Sequence, residues 1–126
     1  MKLRTRTNSL RLRLTQAEVT RLVAEREVRE RVFVGPGEDD VLTHALRASP
    51  DATRISAKLE GRTLVVTVPL ADARAWAESD TVGLTAEASA TSGRTLTILV
   101  EKDFACLKPR TGEDDSDAFP NPNETC

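Results

Sequence analysis

Three observations predict an α+β domain, an antiparallel sheet or open barrel carrying two helices. Leu10, Leu12 and Leu14 alternate with Ser9, Arg11 and Arg13, the period of a strand with one buried face. A helix-start signature, Thr15-Gln16-Ala17-Glu18, follows at once. A shift of 54 residues then carries this pair onto a second one: Leu10 on Leu64, Leu12 on Val66, Leu14 on Val68, Ala17 on Ala71 and Leu22 on Trp76. The same shift puts Val28 on Val82, Leu42 on Leu96 and Thr43 on Thr97. The expectation is a single domain over residues 1–126 with a duplicated β-α-β-β-β unit, repeated over 10–60 and 64–110, and an acidic tail over 111–126.

Each element has its own warrant. Lys2, Arg4 and Arg6 share one face of a first short strand, and Asn8-Ser9 kinks the chain before the second. In the capping box the Thr15 side chain accepts from a first-turn amide while Glu18 reaches back to the Thr15 amide. The helix runs to about Arg26 with Val19, Leu22 and Val23 on its apolar stripe. Val28, Val32 and Val34 alternate with charged neighbours in a strand that Gly35-Pro36-Gly37 breaks. Residues 41–48 form the next strand. Residues 54–59 and 62–68 form a hairpin closed at Glu60-Gly61. Pro69 suits the first turn of a second helix, which reaches about Ser79 with Ala73, Trp76 and Ala77 inward. Residues 82–88 and 94–100 make the last hairpin, across Thr91-Ser92-Gly93.

Composition narrows the function classes. Aromatics are 3% of the 126 residues, with no Tyr, so the core is built from Leu, Val, Ile and Ala. Base-stacking platforms are disfavoured for the same reason. With a net charge of −2, the expectation is no nucleic-acid partner. Two cysteines make no disulfide framework. Arginines interrupt any N-terminal apolar run and no segment is long and apolar enough to span a bilayer. The expectation is a cytoplasmic protein with no membrane partner. Charge is unevenly placed: residues 1–31 hold nine Lys or Arg against four acids, and residues 101–126 hold seven acids against three bases. The two ends are expected to pair, with residues 113–117 and Phe119 docked against the body and the carboxylates facing N-terminal arginines.

The candidate sites follow from strand parity. With Leu10, Leu12 and Leu14 inward, Arg11 and Arg13 lie on the other face, grouped with Arg29, Arg31, Arg54 and Lys58. Such a surface suits a phosphorylated anion, although a half-covered antiparallel sheet shows the same pattern to solvent. Glu101 and Asp103 stand two apart on one strand face, where they either share a divalent cation or pair with arginines. Cys106 is a buried small apolar residue, or a thiol activated by Lys102 and Lys108. His44, between Leu42 and Leu46, has no Cys or His partner at zinc spacing.

Two resemblances add to this. The stretches Asn8-Ser9-Leu10-Arg11-Leu12-Arg13-Leu14, Glu101-Lys102-Asp103-Phe104-Ala105-Cys106-Leu107 and Phe119-Pro120-Asn121-Pro122 resemble a family of small uncharacterised bacterial proteins with no assigned activity. The duplicated order of elements is similar in topology to the CYTH-type triphosphate tunnel fold. That likeness implies a triphosphate held on inward Arg and Lys, with a metal bound through Glu-x-Glu-x-Lys on the first strand. Here that strand reads Arg11-Leu12-Arg13 instead, so the anion-binding geometry carries over and the metal motif does not. The leading expectation is a small soluble binding domain for an anionic small molecule with no cofactor. The alternatives are a phosphohydrolase with a divalent metal at Glu101 and Asp103, and a protein-interaction domain.

Overall fold

The computed structural model describes residues 1–104, 117–120 and 122. Eight strands and two α-helices follow one another among the described residues: β1 (Lys2–Arg6), β2 (Ser9–Leu14), α1 (Gln16–Glu25), β3 (Glu27–Phe33), β4 (Val41–Ser49), β5 (Ser56–Glu60), β6 (Thr63–Pro69), α2 (Leu70–Ala77), β7 (Gly83–Ser89) and, after a 3-10 turn at Thr91–Gly93, β8 (Thr95–Lys102). The strands form two open four-stranded sheets, β1-β2-β8-β7 and β3-β4-β6-β5. The fold is α+β, and the eight strands do not close into a barrel.

Four antiparallel hairpins supply the strands, but each sheet is joined at its centre by a parallel pair, β2 with β8 and β4 with β6. Alternation within a strand fixes which face is buried and is silent on the neighbour's direction, so the parallel centres are new. The kink expected at Asn8-Ser9 is a tight turn: Arg6 pairs with Ser9, and Asn8 takes a φ of 50°. Gly61, at φ +60°, makes the equivalent turn between β5 and β6.

The helices form where the caps dictate. Thr15 and Glu18 complete their capping box, and Arg26 ends α1 with a left-handed conformation whose N–H reaches Leu22 O. Each helix then crosses between sheets, α1 leading from β2 to β3 and α2 from β6 to β7. One core results. Leu12, Leu14, Ile98 and Val100 from the first sheet meet Val28, Leu46, Val66 and Val68 from the second, together with Leu22, Ala73 and Trp76 from the helices. The inner faces thin out away from the helices, where Val32, Leu42 and Leu59 are exposed. Among the described residues no helix is long and apolar enough to cross a membrane.

The 54-residue shift carries one sheet's pairings onto the other's. Lys2 with Arg13 becomes Ser56 with Thr67, and Ser9 with Thr97 becomes Thr63 with Thr43. The ungapped shift fails for one strand. Val28 pairs with Leu46 and Leu84 pairs with Val100, so Val28 corresponds to Leu84 and not to Val82. Two extra residues enter after α2, and the shorter turn before β8 removes them again.

β7 packs so closely on β8 that a Cβ on Gly83 would stand 2.7 Å from the Val100 carbonyl oxygen. Gly83→Ala is expected to cost about 1–3 kcal/mol, read as a fall of several degrees in Tm. An unchanged Tm would contradict this pairing.

Candidate functional site

The β1–β2 hairpin builds the most basic surface described. Its register places Leu3 opposite Leu12 and Thr5 opposite Leu10 on the core side. The other face is therefore left to Lys2 opposite Arg13, Arg4 opposite Arg11, and Arg6 opposite Ser9. Five cations share one face of two strands. Steps of two residues space each row by roughly 7 Å. Thr97, Leu99 and Glu101 of β8 extend this face alongside Ser9, Arg11 and Arg13.

Only part of that charge is neutralised. Arg11 Nε donates to Glu101, and Lys2 Nζ lies 3.0 Å from Asp103 Oδ2. Glu101 and Asp103 thus pair with cations of the face itself, and no group of three or more His, Cys, Asp or Glu is placed to hold a metal among the described residues. Arg4, Arg6 and Arg13 have no carboxylate within 4.0 Å among the described residues. Arg13 Nε is buried with no hydrogen-bond partner among the described residues, and such a donor calls for an acceptor.

The six cations grouped from sequence separate into three places. Arg11 and Arg13 lie on the first sheet. Arg29, Arg31 and Lys58 lie on the second sheet's outward face, with Arg47 between their strands. That face is partly neutralised: Glu27 receives bonds from Arg29 and Arg47, and Glu60 pairs with Arg47 and Lys58, while Arg31 has no carboxylate within 4.0 Å among the described residues. Arg54 stands apart, lining a cleft of about 270 Å³ between β5 and β7. The separation has a simple cause, because β3 and β5 belong to a different sheet from β2. The grouping missed Lys2, Arg4 and Arg6. Their alternation is visible in the sequence, but the kink expected at Asn8-Ser9 gives no sign of the Thr7-Asn8 turn that folds them against residues 9–13.

Two carboxyls are held below their ordinary value of 4.5. Partial burial pushes Glu27 upward, and the hydrogen bonds from Arg29 and Arg47 outweigh it. Glu18 behaves alike, its burial opposed by the Met1 amino group and by Thr15. His44 is 5% exposed, with Nε2 3.4 Å from Met1 O and Nδ1 unpartnered among the described residues.

Residues 117–119 return to α1 and to the end of β8. Gln16 N donates to Asp117 O at 3.1 Å, Ala17 N to Asp117 Oδ2 at 3.3 Å, and Gln16 Nε2 to Ala118 O at 3.0 Å. Phe119 N donates to Asp103 O at 2.6 Å, and its ring meets Phe104 edge-on, with centroids 5.8 Å apart. Phe119 therefore anchors the segment as expected. The Asp117 carboxylate meets the amide end of a helix where an arginine was expected, a placement the helix dipole favours. Residues 113–116 and the candidate thiol Cys106 lie outside the described residues.

The chain belongs to a family: residues 1–123 match a family of unknown function, DUF7009. No curated protein and no solved structure matches it.

Because Glu18 and Glu27 are depressed, their contribution to stability is complete above about pH 4.5 and is lost as pH falls through their folded values. Urea midpoints of the wild type are expected to hold from pH 7 to 5 and drop toward pH 3. In the E18Q/E27Q variant that drop should be shallower, and an equally steep drop would show that other groups carry it.

Proposed function

We propose that this protein is a duplicated hairpin–helix–hairpin domain that binds a phosphorylated small anion on the outward face of β1 and β2. The observation that carries the reading is Arg13, whose Nε is buried without a partner among the described residues on a face holding Lys2, Arg4, Arg6 and Arg11 as well. Guanidinium groups match phosphoryl oxygens in geometry and in charge. The second sheet's cations are mostly engaged by Glu27 and Glu60, which favours the first sheet. Support for the duplication comes from the coincident registers, joined by the matched burial of Leu22 and Trp76 in the two helices.

Binding is the reading preferred over hydrolysis. Glu101 and Asp103 are already engaged by Arg11 and Lys2, whereas a phosphohydrolase of the kind considered needs carboxylates turned toward a cation.

Inorganic tripolyphosphate is the probe. It is expected to raise the wild-type Tm in low salt, with the effect shrinking as ionic strength rises. Each charge-assisted bond contributes roughly 1.5–3 kcal/mol, so R4A/R13A should weaken binding at least about tenfold. R29A/K58A should leave it unchanged. Equal losses in both variants, or no response from the wild type, would overturn the reading. A response that requires added Mg²⁺ would favour the hydrolase instead.

A further inference from the structure

A second site lies on the other side of β8. Strand alternation sends Lys102 toward the core side with Ile98 and Val100, and it is only 4% exposed. Its Nζ donates to Ser79 O at 2.6 Å, just past the end of α2. It also lies 6.0 Å from the centroid of the Trp76 ring and 5.2 Å from that of Phe119. An ammonium has three N–H donors, and Ser79 O is the one acceptor it meets among the described residues. No carboxylate stands within 4.0 Å of it among them. A buried cation held so sparsely beside a cavity marks a binding position.

The cavity is there. It measures about 480 Å³ and is lined by Lys102, Phe104, Phe119 and Pro120 and, from the end of α2 onward, by Glu78 and Asp80. That volume suits a small molecule. Its chemistry is divided. Lys102 brings positive charge to the buried side, and Phe104, Phe119 and Pro120 give an apolar wall. Glu78 and Asp80, both exposed, bring negative charge at the carbonyl end of α2, where the helix dipole adds to it. A purely anionic ligand would meet those two carboxylates, and a purely cationic one would meet Lys102.

We propose that this cavity binds a small zwitterion with an apolar body, of the class of a free α-amino acid with an aromatic or large aliphatic side chain. Its carboxylate takes the unused donors of Lys102. Its ammonium faces Glu78 and Asp80, and its side chain lies against Phe104 and Phe119. The site is separate from the basic face of β1 and β2 and stands or falls independently of it.

Trp76 is the chain's one tryptophan and its ring centroid lies 6.0 Å from the same ammonium, so its fluorescence reports on the cavity. Three probes share one apolar body: phenylalanine, 2-phenylethylamine and 3-phenylpropionate. Titrated into the full chain, phenylalanine is expected to change Trp76 emission with an affinity at least about tenfold above either of the others. Glu78 and Asp80 are on the surface, so E78Q/D80N keeps the fold. It should reduce phenylalanine to the level of 3-phenylpropionate, while K102M should reduce it to the level of 2-phenylethylamine. Should K102M fail to fold, the E78Q/D80N variant and the three-probe comparison on the wild type decide the matter. No response to any probe would mean that Lys102 only caps α2. Equal affinity for all three would mean an apolar groove, and an unchanged affinity in E78Q/D80N would remove the ammonium site. Each of these results overturns the proposal.

Discussion

The two parallel pairings, β2 with β8 and β4 with β6, are what everything else in this fold depends on. Each joins a hairpin from the first half of the chain to one from the second. Without them there are four separate two-stranded ribbons, which are marginal in water. The helices follow from the same constraint. Because β2 and β3 lie in different sheets, the intervening chain must cross between them, and α1 makes that crossing while burying Leu22. α2 makes the return crossing with Trp76. Neither half completes a sheet alone, so the domain folds as one unit with much long-range contact, a topology that folds slowly.

The same constraint decides where charge is allowed. The inner faces and both helices pack mainly Leu, Val, Ile, Ala and one Trp into the core, and the two sheets stay open. Cations on odd strand positions are driven outward. On the second sheet Arg29, Arg47 and Lys58 meet Glu27 and Glu60. On the first sheet β1 carries cations opposite the cations of β2, an arrangement that self-repulsion disfavours. Glu101 and Asp103 relieve part of that repulsion.

Much of this was legible in the sequence, for reasons that differ by element. The Leu10, Leu12 and Leu14 alternation and the Thr15-Glu18 box are local signals, and both survive into the structure unaltered. The ungapped shift found the matching strands through Leu64 and Val68, because core positions keep their phase. It lost step at β7, where two added residues preserve the period of two and so leave no mark on the pattern. Partners were the hard part. Nothing in the residues of β2 says that β8 lies beside it in parallel, and without that pairing the arginines of β3 appear to share a face with Arg11. Lys102 was legible only as a charge near Cys106, since its burial depends on α2 and Phe119, both distant in sequence.

Lys102 and Asp103 show how one step of strand alternation ties the two candidate sites together. Lys102 points inward to Ser79 and the aromatic rings, while Asp103 pairs with Lys2 of the basic hairpin. The Asp103 backbone is fixed from both sides: its N–H donates to Leu14 O and its carbonyl accepts from Phe119. Phe119 in turn forms part of the wall of the Lys102 cavity. Asp103 thus joins the two surfaces through two contacts, its carbonyl accepting from Phe119 N and its carboxylate pairing with Lys2. The contacts are direct and few, so the two surfaces are mechanically adjacent although they lie on opposite faces of one strand. The segment that anchors at Phe119 is then more than a cover for the core, because it also fixes the backbone of the residue that pairs with Lys2.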